Sequence, residues 1–561
     1  MTSLLPSIDL PRPDAGADAG ALDARFYDLV EARVRRVFAD NPVTASYLGV
    51  HDFDDVLGDS SRDAVLAEID ADKAHLAAVE AIDPARLSAE ARFERDLEIH
   101  NLRLQLFQSD EVRQWERRTS AAGDIGDAVF ALFARGAAPL GERLGHIASR
   151  LEAAPAFLLA ARTRAVRPQV AAWQRIDQRY AHDLPRLFEE VRAAGAGVLD
   201  TSEAGRLDRA IEGASAALAD HDAWLEETVV RGAQDWPLGS ERYDELLRRR
   251  ALDDLDADGI LEIGWEQLRR NHEGRKAALR ELDHDGDEAS LIERLKSDHP
   301  ARFEEALEAY KDTMRRARAY LIEHDLATIP AGEEIEVMAT PEYLRSVMPF
   351  AAYFSPARFD ADHRGIYVVT PAVDDDPNAM REHYYASISN TSIHEAYPGH
   401  HLQLAAAEQH PSLTRMLAEA PEFVEGWGMY SEQMMREEGF DAGPAFRAAM
   451  YTDAIWRSCR IILDIRMHRG ELTPEEATDF LVEHTSFEVA NARAEVRRYT
   501  YTPGYQLSYL LGKVLILGLR EEERRRLGSR FSLKRFHDTL LTNGSIPVSF
   551  HRRLLRAGDG G

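Results

Sequence analysis

The stretch Ser392-Ile393-His394-Glu395-Ala396-Tyr397-Pro398-Gly399-His400-His401 sets a Pro-Gly pair in the middle of a helix-compatible run and surrounds it with three histidines and a glutamate. It reads as a helix interrupted near its centre. Proline lacks an amide donor and clashes with the carbonyl four residues back, that of His394, and glycine accepts backbone geometry that other residues resist. On both sides the helical pattern resumes, over 381–409, 422–438, 444–469, 474–484, 488–499 and 505–525, so the surroundings of the break must be helices.

Farther upstream the pattern changes between about 333 and 370. Glu334 to Met338 alternates, Ala351 to Phe354 is short and aromatic, and Gly365 to Thr370 is β-branched, each bounded by Pro or Gly. These predict two or three strands in a small sheet preceding the His394 helix. The following Asp374-Asp375-Asp376-Pro377 reads as a solvated turn, because its spacing lacks the alternating oxygen ligands of a calcium loop. Segments 62–81, 88–109, 141–163, 204–229 and 300–324 are rich in Ala, Leu, Glu and Arg, and Leu22, Phe26, Val30, Val34 and Val37 mark a first helix that ends at Asn41-Pro42. The expected fold is mainly α, a large multi-helix body around a deep cleft. A flexible leader spans 1–20, a helical region 21–330 forms the cleft walls, and 331–561 carries the sheet and the site helices, either as a separate unit or in one continuous domain.

Composition narrows the chemistry. The 561 residues include 68 basic and 97 acidic side chains, a net charge of −29 that repels nucleic acid and anionic membranes as main partners. A single cysteine, Cys459, excludes an intrachain disulfide and a thiolate-rich metal site, so any metal must be held by His and carboxylates. No stretch approaches the roughly 20 apolar residues that span a bilayer. Met1 to Arg25 lacks a basic start followed by an apolar run, so a cytoplasmic location is expected. Nothing in the sequence sets the oligomeric state.

His394-Glu395 begins like the H-E-x-x-H signature, in which two histidines four apart share a zinc ion and the intervening Glu is the general base. Here the next histidines come at +6 and +7. On an unbroken helix the +7 residue lies roughly 10 Å along the axis and +6 points elsewhere, so neither could share one ion. The Pro398-Gly399 break removes that obstacle. His400, directly after it, is the favoured second ligand, with His401 supporting it or taking its place. Glu425, 25 residues after His400, is placed to return a carboxylate from the next helix, and Glu432, two turns further, to orient a ligand histidine.

The expected roles follow. His394, His400 or His401, and Glu425 bind zinc, and Glu395 moves the proton. An oxyanion donor is sought in His468, which shares a helix face with Arg460 and Asp464, or in Tyr509 and Tyr505 beyond Pro503-Gly504. Arg498 and Lys513 are candidates for a substrate carboxylate, although Glu495, three residues before Arg498, offers that arginine a plain ion pair.

The combination of His394 through His401, Glu425-Gly426-Trp427 with Tyr430 and Glu432, Pro503-Gly504-Tyr505-Gln506-Leu507-Ser508-Tyr509 with Gly512-Lys513, and Asn41-Pro42 through Tyr47-Leu48-Gly49-Val50-His51 resembles a large bacterial group, domain-of-unknown-function family 885, regarded as metallopeptidase-like. The resemblance extends over nearly the whole length and implies a mainly helical fold and a zinc hydrolase, without a substrate. Taken with the residues, it leads to the expectation of a zinc-dependent peptidase of short peptides. A zinc hydrolase of another amide or ester, and a non-catalytic peptide-binding or structural helical protein, are the alternatives.

Overall fold

Apolar residues at three- and four-residue spacing become the buried faces of helices throughout the chain. In the computed structural model, which describes residues 8–13, 20–230, 235–341, 345, 351–371, 379–418, 420–485 and 487–557, the fold is mainly helical with one small sheet. Residues 1–7 and 14–19 of the expected leader, and the acidic turn Asp374–Pro377, lie outside the described residues. Among the described residues no helix is long and apolar enough to cross a membrane.

The chain divides into two compact units. The first comprises Met1–Trp236 with Pro356–His363 and Pro411–Thr414; the second comprises Pro237–Ser355, Arg364–His410 and Arg415–Gly561. The first change from one unit to the other along the chain falls at Trp236 and Pro237. The reason lies in packing. Along the helix Ala257–Leu282, Gly264 lies against Ile461, Gly274 against the ring of Tyr451, and Asn271 donates to Ser458 Oγ at 3.1 Å, so this helix belongs with Pro444–His468.

In the first unit Phe26, Val30 and Val34 of Ala21–Asp40 are buried as their spacing required. Pro42 opens the short helix Pro42–Tyr47, a position where its missing amide costs nothing. Gly49 follows at φ +86, and the place of its absent Cβ is 2.8 Å from the Asp360 amide nitrogen. A side chain there would meet both a steric and a dihedral penalty. The returning segment is further held by the Phe359 amide on the Leu48 carbonyl at 2.9 Å.

The second unit contains the sheet. Strands β1 (Glu334–Ala339), β2 (Ala351–Phe354) and β3 (Arg364–Val369) lie in the order β1-β3-β2. β3 pairs parallel with β1, Glu334 opposite Arg364, and antiparallel with β2, Ala351 opposite Val369. Tyr367, Val368 and Val369 of the central strand are buried, in keeping with a strand covered on both faces. The chain then enters the helix Tyr385–Glu395, which carries His394 on its last turn.

Candidate metal centre

At Glu395 the helix stops. Ala396 to Gly399 cross over, with the Tyr397–Pro398 bond cis, and a new helix, His400–Glu408, begins. The interruption expected at Pro398-Gly399 is a complete break between two helices. Gly399 sits so closely under the preceding turn that a Cβ would stand 1.8 Å from the His394 carbonyl oxygen and 2.3 Å from that of Ile393. Its amide donates to the Ile393 carbonyl at 3.0 Å, and Trp427 Nε1 donates to the Pro398 carbonyl at 2.7 Å, so the polar groups freed by the break are satisfied.

The third element is the helix Pro421–Glu437, opened by proline at its first position. Two glycines let it approach its neighbours. A Cβ on Gly426 would be 2.5 Å from the Gly512 backbone of the helix Ser508–Leu527, and one on Gly428 would be 2.6 Å from His394 Cε1. The imidazole of His394 therefore lies directly on the helix that carries Glu425.

His394, His400 and Glu425 converge, each offering a donor atom within 4.8 Å of the others. Glu425 Oε2 is 3.7 Å from His394 Nε2 and 3.4 Å from His400 Nε2, and the two imidazole rings meet edge to face at 4.7 Å. Donors about 2.1 Å from a tetrahedral centre stand roughly 3.4 Å apart, so these spans suit one zinc-sized ion. The donor chemistry also fits. Glu432 Oε1 is 2.7 Å from His394 Nδ1 and is held in its ionised form, so Nδ1 must be the donor and Nε2 is the nitrogen left to face Glu425 and His400.

Burial by itself would raise the Glu425 carboxylate, but the His394 and His400 imidazoles reverse this and hold it well below the ordinary range. Burial likewise works against the His394 imidazolium, and Glu425 and Glu432 overcome it, lifting His394 to about 10. The negative potential at this point favours a cation, whether a proton or a metal. Behind it, Asn390 Nδ2 donates to Glu432 at 2.9 Å and to Asp453 at 2.7 Å, and burial beside Glu432 raises Asp453.

Tyr505 completes the cluster by donating to Glu425 Oε1 at 2.6 Å. Its turn is clamped from two sides. Gly504, at φ +78, and Leu507 donate their amides to Asp464 at 3.1 and 3.3 Å, while Arg250 binds the Gly504 carbonyl, Ser508 Oγ at 2.9 Å and Glu422 at 2.7 Å. The Tyr505 and Tyr509 rings meet edge to face at 5.9 Å, and burial raises Tyr509 to about 12, so its hydroxyl stays protonated at neutral pH. Glu395, half-buried, makes no hydrogen bond or ion pair with any described residue.

Other candidates are placed elsewhere. His401 is not part of the cluster, because both ring nitrogens are engaged, Nδ1 with Tyr353 Oη at 2.8 Å and Nε2 with Glu333 Oε2 at 2.6 Å. His468 is not an accessible donor either. It is fully buried, stacked on Tyr243, with Nε2 on the Tyr499 carbonyl at 3.0 Å, and burial lowers it to about 4. Asp464 Oδ1 comes within 3.7 Å of His468 Nε2, as its spacing suggested, but also accepts the amides of the Gly504 turn. Arg498 pairs with Glu495 at 2.8 Å. Lys513 is 4% exposed and makes no hydrogen bond or ion pair with a described residue, and burial lowers its pKa. Asn390, Asp453, Glu333 and Tyr353 were not legible as site residues, since each enters only through a contact distant in sequence.

The sequence profile of a family described as "Bacterial protein of unknown function (DUF885)" matches residues 42–555. Two solved structures share the fold at low identity. One, described as a putative lipoprotein of unknown function from Shewanella oneidensis, is 23% identical with a TM-score of 0.78, over 95% of this chain and 99% of that one. The other, described as a putative lipoprotein from Colwellia psychrerythraea, is 19% identical with a TM-score of 0.83, over 96% and 99%. No curated protein matches the sequence.

Proposed function

This chain belongs to the DUF885 family of bacterial proteins of unknown function, and we propose that it is a zinc-dependent peptidase acting on short peptides. The observation that carries the reading is the convergence of His394, His400 and Glu425 beside a half-buried Glu395 that makes no hydrogen bond or ion pair with a described residue. His394, His400 and Glu425 would hold the ion. Zinc bound there supplies a Lewis acid that polarises a carbonyl and lowers the pKa of water towards about 7.

The protein's own residues do the rest. Glu432 fixes the tautomer of His394, and Tyr505 holds Glu425 in place. Glu395 accepts the proton of the attacking water and hands it to the leaving amine. The Tyr509 hydroxyl donates to the carbonyl oxygen as negative charge develops on it.

Metal analysis of the purified protein and a panel of short peptides with free and blocked termini test this. Glu395→Gln is expected to keep its zinc and to lose turnover by about a thousandfold, within the range that a general base supplies. Parental turnover in that variant would rule out the mechanism, and a protein that takes up no stoichiometric divalent metal would rule out the reading. Cleavage of esters or non-peptide amides with no peptide cleaved would transfer the site to another substrate class.

A further inference from the structure

Beside Tyr509 the charges do not balance. Arg460 Nη2 and Arg498 Nη2 both bind the same oxygen, Glu495 Oε2, at 3.0 and 2.8 Å, and the Tyr499 hydroxyl donates to it as well at 2.9 Å. One carboxylate thus serves two guanidiniums, leaving one positive charge over. The two arginines differ in how much of their donor capacity is spent. Arg460 is buried, lies over the rings of Trp456 and Tyr509 at 4.0 and 4.6 Å, and also reaches the Tyr499 hydroxyl at 3.3 Å. Arg498 keeps a side chain about one-third exposed, and its Nε and Nη1 bond to no described residue.

This surplus charge adjoins the metal cluster through two rings. Tyr505, hydrogen-bonded to Glu425, meets Tyr509 edge to face at 5.9 Å, and Tyr509 stands within electrostatic reach of Glu425, Arg460 and Arg498 together. In a chain of net charge −29, a guanidinium with free donors beside a candidate catalytic centre is fitted to an anion. The unspent Nε and Nη1 lie on different edges of the guanidinium, and either can give a carboxylate a charge-assisted hydrogen bond.

We propose that Arg498, backed by Arg460, is the subsite for a substrate carboxylate, so that the peptides acted on carry a free C-terminal carboxylate or an acidic side chain near the scissile bond. The assignment rests on the peptidase reading for the identity of the substrate, but the subsite lies outside the metal ligands and is testable without turnover. Glu495 holds Arg460 in place whether or not Arg498 is present, so replacing Arg498 removes the unspent donors and leaves the buried pair.

Calorimetric titration of the zinc-loaded protein with acetyl-trialanine, its C-terminal amide and acetyl-Ala-Asp-Ala-amide reads the subsite. The free acid is expected to bind roughly tenfold more tightly than the trialanine amide, a difference of one charge-assisted contact. That preference should vanish in Arg498→Gln and be largely kept in Arg498→Lys, with zinc content unchanged in both. If the Asp-containing amide is the tighter ligand, the carboxylate is supplied by a side chain, and the subsite stands. Equal affinity of all three peptides, no binding of either carboxylate-bearing peptide, or undiminished preference in Arg498→Gln overturns the proposal. Repeating the titration after chelation separates the two ideas. Arg498-dependent discrimination without any peptide cleavage would sink the peptidase and leave the subsite, whereas cleavage indifferent to the carboxylate would do the reverse.

Discussion

Both units bury histidines against carboxylates, yet they use the pairing differently. In the first unit His75 Nε2 meets Glu98 at 2.9 Å with Arg33 alongside at 3.4 Å, and His221 meets Asp177 at 3.2 Å, while that aspartate also accepts from the Thr119 hydroxyl and the Ala122 amide. His51 bridges Asp54 at 2.8 Å and Asp360 at 2.7 Å. His146 Nδ1 also comes within 3.7 Å of Asp54 Oδ2, but His51 is spent on two aspartates, and among the described residues these groups form no metal-sized cluster. In the second unit two imidazoles from consecutive helices face a single carboxylate oxygen from a third. A His–acid contact is therefore a common structural device, and what marks a candidate metal centre is the convergence of donors on one point.

The widest test of this contrast removes one histidine from each unit. His400→Ala is expected to cost about a thousandfold in zinc affinity, roughly 4 kcal/mol, with modest change in stability. His75→Ala should leave zinc binding untouched and destabilise the first unit by about 3 kcal/mol, since it deprives the fully buried Glu98 of one partner. Zinc titration and thermal unfolding of both variants decide the matter. Loss of zinc in His75→Ala, or full zinc affinity in His400→Ala, would erase the distinction.

A smaller effect is expected one contact further out. Glu432→Gln keeps the shape at His394 Nδ1 but replaces a carboxylate by an amide, and zinc affinity should fall by about 10- to 100-fold. An unchanged affinity would mean that Glu432 merely fills space.

The smallest effect sharpens the contrast through pH. The bonds to Asp360 and Asp54 raise His51 to about 10, so the stability it contributes is fully present below its unfolded value of about 6.5 and is lost as pH rises through about 10. With the His51 side chain 41% exposed, solvent screening limits that contribution to about 1 kcal/mol. Thermal unfolding between pH 7 and 10.5 should therefore show a loss that disappears in His51→Phe. The same slope in both proteins would remove His51 from the account.

Much of the second unit was readable in advance for local reasons. The helices flanking the break, the small sheet and the separation of Glu425 from His400 all follow from periodicity, proline and glycine. The Pro503-Gly504-Tyr505 motif was visible too, and its role follows from the turn that Asp464 and Arg250 clamp so that Tyr505 reaches Glu425. Helical spacing brought His468 beside Asp464 but could not show that the imidazole is fully buried with Nε2 on the Tyr499 carbonyl, 31 residues away. The early Tyr47-Leu48-Gly49-Val50-His51 run binds the first unit to its own returning segment.

By itself the sequence determined the kinds of donor available. One cysteine leaves histidine and carboxylate, and a Pro-Gly pair after His394-Glu395 ends the helix there. Which of two adjacent histidines joins the cluster was decided only by the tertiary structure. Neighbours on a helix point about 100° apart, and the rotation of the new helix depends on what captures each face. Glu333 and Tyr353, 68 and 48 residues away in the chain, hold His401, and the close passage of Gly399 beneath the Ile393 and His394 carbonyls carries His400 round to Glu425.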